Sequence, residues 1–200
     1  MKLELLTDPS DLEGPAVPPG QEKVALPKQF VAAMHVAVIP LFLLFYLLFP
    51  DAFHQFDSEL DWASSLLILP VLLAIILAHE LVHLALSPGS LFHPSARILI
   101  VPKHLAVYAY TAVPMSRNQA LWMSLAPFTI LTCGVLMFHA CFLELPAWVR
   151  MAAIANGVMS AGDLFIAAAL LKVPSSGRSI SVNATGIYFT RLPTHLRVGD

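Results

Sequence analysis

The stretch Ile75-Ile76-Leu77-Ala78-His79-Glu80-Leu81-Val82-His83-Leu84-Ala85-Leu86 decides how this chain is read. Three ionisable side chains, His79, Glu80 and His83, interrupt a segment that is otherwise apolar and long enough to span a bilayer. Such groups are costly in hydrocarbon and mark functional sites. His79 and His83 are four residues apart, so on a helix they share a face and can point at one ion. The pattern His-Glu-x-x-His is that of zinc hydrolysis. Imidazoles suit zinc, and catalytic zinc sites use three protein ligands and a water. Glu80 follows the first ligand and is not itself one. It is placed to take a proton from the activated water and pass it to the leaving amine. The expected cofactor is Zn2+.

Of the 200 residues, 58% are hydrophobic and 12% charged. A soluble domain is nearer 45–50% apolar and about 25% charged. The composition therefore predicts a membrane protein, and a net charge of -2 suggests no nucleic-acid partner. Cys133 and Cys141 lie eight residues apart in one apolar run. On a helix that is ~12 Å of rise, too far for a disulfide, and packing is the expected role. Residues 1–27 carry acids and prolines before any apolar run, unlike a secretory signal. They are expected to form a flexible cytoplasmic tail.

Four apolar segments follow: about Phe30 to Phe49, Ser64 to Leu86, Ala120 to Phe142 and Val149 to Leu171. Each is near the ~20 residues a spanning helix needs. Pro40, Pro70 and Pro127 are expected to bend their helices without ending them. The loop from Pro50 to Ala63 is acidic. Ten of the eleven Lys and Arg residues, all but Arg150, fall on the other side of the predicted membrane. The positive-inside rule makes that side cytoplasmic, with both termini there, in a multi-pass protein of the cell (inner) membrane. The runs Ile98 to Val101 and Leu105 to Tyr110, and Ser179 to Val182 and Gly186 to Thr190, read as two hairpins. Both belong to the cytoplasmic side, where they can make one small sheet with an exposed edge. The expected fold is thus all-α, with four transmembrane helices and short cytoplasmic β-hairpins. One domain covers residues 28–190, and 191–200 form a C-terminal tail.

The third metal ligand must come from elsewhere, and the candidates are His35, His93, His104, His139, Glu144 and Asp163. His79 lies seven residues before Leu86, and Asp163 eight before Leu171. At ~1.5 Å per residue the two are at nearly equal depth below the cytoplasmic helix ends. His139 and Glu144 fall near the opposite face. His35 begins the first span, and His93 and His104 lie in a loop that can reach back. Depth favours Asp163. Asn156, Ser160 and Asp163 are spaced four and three apart, forming one polar stripe. Gly157 and Gly162 allow another helix to approach closely. Asn156 is read either as a catalytic donor to a substrate carbonyl or oxyanion, or as an interhelical hydrogen-bonding group.

These residues carry a resemblance. The chain resembles the bacterial multi-pass membrane proteins grouped as "Putative zincin peptidase", formerly a domain of unknown function. It is more distantly similar to the site-2 protease class of intramembrane metalloproteases. The likeness rests on His79-Glu80-Leu81-Val82-His83, on Asn156-Gly157-Val158-Met159-Ser160-Ala161-Gly162-Asp163, and on the order of segments from about 30 to 190. Site-2 proteases usually carry their later aspartate within Leu-Asp-Gly; here Gly162 precedes Asp163 and Leu164 follows it. The resemblance implies two histidines and one aspartate as ligands, with Glu80 as base.

The expected function is zinc-dependent endopeptidase activity within or beside the membrane, near its cytoplasmic face. The partners are then the lipid bilayer and a membrane-protein or peptide substrate. The alternative is a non-enzymatic membrane scaffold or adaptor with a structural zinc site, which would not need Glu80. A metal transporter is a third reading, poorly served by a single His pair.

Overall fold

Hydrocarbon offers no partner to a backbone N–H or C=O, so long apolar runs in a membrane close their hydrogen bonds as helices. A computed structural model of the chain describes residues 2–5, 21–23, 30–59, 62–89, 91–101, 106–111, 113–142, 144–173, 178–183 and 186–191. Most of them are helical. In order the elements are β1 (Lys2–Leu5), β2 (Gln21–Lys23), α1 (Phe30–Leu48), α2 (Pro50–Glu59), α3 (Trp62–Leu86), β3 (Arg97–Val101), β4 (Ala106–Tyr110) and α4 (Arg117–Pro127). A π-helical stretch, Phe128–Gly134, leads into α5 (Val135–Cys141). Then come α6 (Ala147–Met159), α7 (Ala161–Leu171), β5 (Arg178–Asn183) and β6 (Gly186–Arg191).

Two helical stretches are long and apolar enough to cross a membrane, Ile68–Leu86 and Arg117–Cys141. The number rises to four if two bent pairs each count as one span. One pair is Val36–Leu48 with Pro50–Asp57, bent by 89°, and the other is Ala147–Met159 with Ala161–Leu171, bent by 43°. The acidic loop expected from Pro50 is therefore corrected, because α2 occupies most of it. Pro50 suits a first helical position, where its missing N–H costs nothing, and Asp51 suits the positive N-terminal end. The apolar side chains Ala52 and Phe53 then give the short helix something to pack.

The described chain forms two compact units. The first holds 1–27, 80–124 and 166–200. Both expected hairpins are present in it, β3–β4 and β5–β6. They belong to two three-stranded sheets, ordered β1-β3-β4 and β2-β6-β5, instead of one. The outer strands come from the N-terminal residues expected to be a flexible tail. β1 pairs parallel with β3, and β2 antiparallel with β6. An edge strand satisfies N–H and C=O groups that a bare hairpin would leave open. Met115 extends the second sheet by exchanging two backbone bonds with Ile180, at 2.8 and 2.7 Å. Its core gathers Met115, Met123, Leu170, Val173 and Ile180, and a second cluster joins Leu84, Ala96 and Ile98. Among the described residues β4 is a sheet edge.

The second unit holds 28–79 and 125–165. Phe45 of α1, Ala52 of α2, Leu136 of α5 and Ala153 and Ile154 of α6 are its centre. Phe53 meets Phe42 and Tyr46 edge to face, with ring centroids 5.5 and 5.2 Å apart. The buried Arg150 donates from Nη2 to Gln55 Oε1 on α2. Helices this apolar on their outer faces rely on close packing over small residues. Gly157 is such a point. A Cβ there would lie 2.6 Å from Phe45 Cε2 and 2.9 Å from Thr132 Cγ2. Gly157→Ala is expected to destabilise the detergent-purified protein by about 1–3 kcal/mol through overpacking, read as a lower thermal midpoint. Adding Phe45→Leu should return part of the loss; an unchanged midpoint for Gly157→Ala would contradict this packing.

Candidate metal centre

The motif helix α3 runs unbroken from Trp62 to Leu86 and carries His79, Glu80 and His83 on its last two turns. All three are buried, at 5%, 9% and 7% exposure. Ser87 and Pro88 end the helix, with Ser87 Oγ donating to Leu84 O at 2.7 Å. Gly89 then turns the chain at φ +89°, a conformation that a side chain would strain.

Each histidine is fixed by one oxygen. His83 Nδ1 lies 2.7 Å from Met123 O. A carbonyl can only accept, so Nδ1 bears a hydrogen and Nε2 is the ring nitrogen turned away from that bond. His79 Nδ1 lies 2.9 Å from Asn156 Oδ1. The amide nitrogen of Asn156 donates to Pro127 O at 2.9 Å and to Thr132 Oγ1 at 3.0 Å, and Thr132 donates onward to Ala153 O at 2.8 Å. Because Pro127 O can only accept, Asn156 cannot be flipped, and His79 must also be an Nδ1–H donor. Both rings thus keep Nε2 for another partner, which is how metal-ligating histidines are held.

Asp163, in the first turn of α7, supplies that partner for His79, with Oδ2 2.9 Å from Nε2. At this distance either a proton on Nε2 or a shared metal ion joins the two groups. One ligand atom each from His79, His83 and Asp163 lies within 4.8 Å of the others. Two imidazoles and one carboxylate form a donor set that suits zinc and leaves a position for water.

Glu80 points elsewhere. Its Oε2 accepts from the Ala109 N–H of β4 at 2.5 Å. Ala109 faces Ile98 in the antiparallel β3–β4 register. Its N–H is directed away from β3, on the open edge of the sheet. The side-chain period puts the N–H and C=O of Val107 on that edge as well. Beside them, the Tyr108 phenol is pushed above its usual pKa, first by burial and then by the Glu80 carboxylate. It therefore remains an O–H donor at neutral pH.

The other sequence candidates lie apart from the group. His93 bonds Ser95 Oγ through Nδ1 at 2.7 Å, and His139 accepts from the Leu145 N–H at 3.1 Å. Glu144 is exposed. The side chains of His35 and His104 fall outside the described residues. Ser160, of the same polar stripe, donates back to Asn156 O at 2.9 Å. Asn156 itself is 1% exposed with both donors used. These bonds are of the interhelical kind that the sequence offers beside the oxyanion reading. The sequence reading missed Met123 and Ala109, which act through backbone atoms that no residue type announces.

Asn156→Ala leaves the His79 Nδ1–H and Pro127 O without their buried partner. Metal affinity of the purified protein, measured by chelator competition, is expected to fall about 10–100-fold. Affinity within twofold of the parent would contradict the role given to Asn156.

No curated protein and no solved structure matches the chain. The model of the family described as "Putative zincin peptidase" matches residues 72–177, from within α3 to beyond the end of α7. That stretch is just over half of the 200 residues and contains every member of the metal group. The chain therefore belongs to this zincin peptidase family.

Proposed function

We propose that the protein is a zinc-dependent endopeptidase working within or beside the membrane, near its cytoplasmic face. The observation that carries this reading is the contact of Glu80 with the open edge of β4. It joins a carboxylate beside two ligand histidines to a strand edge that can pair with an extended peptide. The membrane assignment draws support from the two to four apolar spans, and the cytoplasmic side from the distribution of basic residues.

His79, His83 and Asp163 would hold the zinc, and the Nδ1 bonds to Asn156 and Met123 aim the imidazoles. When bound, zinc polarises the scissile carbonyl and lowers the pKa of a water to ~7. A substrate strand pairs with the Val107 edge, which draws its carbonyl carbon towards the metal group. Glu80 takes one proton from the attacking water as the C–O bond forms. It returns that proton to the amide nitrogen as the C–N bond breaks, and the remaining water proton passes from the new carboxyl to the amine, releasing a carboxylate and an ammonium. The Ala109 N–H steadies the Glu80 carboxylate in the orientation this needs. Among the described residues the metal group has three protein ligands, as catalytic zinc sites do; a structural site is closed by four.

Two substitutions test the reading. Glu80→Gln is expected to keep zinc and to lower hydrolysis of a membrane-anchored peptide by about 10²–10⁴-fold. Undiminished hydrolysis would exclude Glu80 as the base. Val107→Pro removes an outward N–H while sparing the β3 ladder, which proline tolerates on an edge. It should raise KM for peptide at unchanged zinc content, whereas an unaltered KM would remove β4 from substrate binding.

A further inference from the structure

Pro127 bears on the supports of both histidines. Its carbonyl accepts from Asn156 Nδ2 at 2.9 Å, and Asn156 Oδ1 in turn holds His79. Its nitrogen acts by omission. In an α-helix the carbonyl of residue 123 is closed by the N–H of residue 127, four positions on. Proline has no N–H, so Met123 O lacks the i+4 donor of an α-helix. That carbonyl instead accepts from His83 Nδ1 at 2.7 Å. Met123 is nearly buried, at 9% exposure, so water is a poor substitute. The helix loses its regular ladder at the same point, since α4 ends at Pro127 and the π-helical stretch begins at Phe128.

We propose that Pro127 is a positioning residue for the metal centre, because its missing N–H keeps Met123 O open to the His83 ring. This rests on the metal-binding reading of His79, His83 and Asp163. An ordinary residue at 127 would bring an N–H into the same lone-pair region of Met123 O. The His83 Nδ1–H would then compete for one buried acceptor, and the ring would lose its fixed tautomer and orientation. The proline is thus a helix defect that the site uses. Its counterpart in α3, Pro70, likewise lacks an N–H but lies two and a half turns before His79.

The test separates the N–H from the ring. Three forms of the full chain are compared in detergent: wild type, Pro127→Ala, and a protein with lactic acid at 127. The last has the alanine side chain with an ester oxygen in place of N–H. Zinc affinity is read by chelator competition, cobalt(II) coordination by visible absorption, and folding by thermal midpoint. Pro127→Ala should be as stable as wild type or more so, yet bind zinc about 10–100-fold more weakly, with an altered cobalt spectrum. The lactate protein should recover wild-type affinity and spectrum, and Pro70→Ala should change neither.

Zinc affinity equal in the alanine and wild-type proteins would overturn the proposal. Equal weakening in the alanine and lactate proteins would also do so, because the ring and not the N–H would then matter. The same holds for equal weakening by Pro70→Ala, or for an alanine protein that fails to fold while the lactate form folds. Absence of zinc and cobalt binding in wild type would remove the metal-binding reading itself, and this inference with it.

Discussion

The structure depends on how two imidazoles can be kept in one tautomer inside an apolar helix. His79 and His83 are both buried, and each has an acceptor at Nδ1. The protein supplies one acceptor from a side chain, Asn156 Oδ1, and one from a broken helical ladder, Met123 O. Much of the helical layout around the site follows from that need. Gly157 and Ala153 let α6 approach closely enough for Thr132 to bond Ala153 O. Asn156 is thereby set against Pro127 and His79 at once. A half-satisfied polar cluster would cost more than an apolar one, so these small residues matter to the site as much as its ligands do.

The bend between α6 and α7 has a comparable purpose. Ser160 sits at the break and donates to Asn156 O, and α7 restarts with Asp163 in its first turn. The positive end of a helix favours a carboxylate in that place. The aspartate is held for the metal group by the start of a new helix. Glu80 is held differently, by a backbone N–H on a sheet edge. The two carboxylates thus have separate supports.

Much of this was legible in the sequence. The spacing of His79 and His83 placed both on one helical face, and counting from helix ends brought Asp163 to their depth. β-branched and aromatic runs gave both hairpins. Other features were hidden for physical reasons. α2 reads as an acidic loop because its helicity comes from packing Ala52 and Phe53 after an 89° bend. β1 and β2 are too short to pair except against strands far along the chain. Asn156 could be read as a donor to substrate or to protein, and only the positions of Pro127 and Thr132 decide that its amide hydrogens are spent. Backbone partners such as Met123 O and the Ala109 N–H carry no side-chain signature at all.

The central claim is that His79, His83 and Asp163 form one metal site. Metal analysis of the detergent-purified wild-type protein beside Asp163→Ala tests it most directly. One zinc per chain is expected in the wild type and its loss in the variant, with both proteins folded. Full zinc retention in folded Asp163→Ala would contradict it and move the third ligand to another residue.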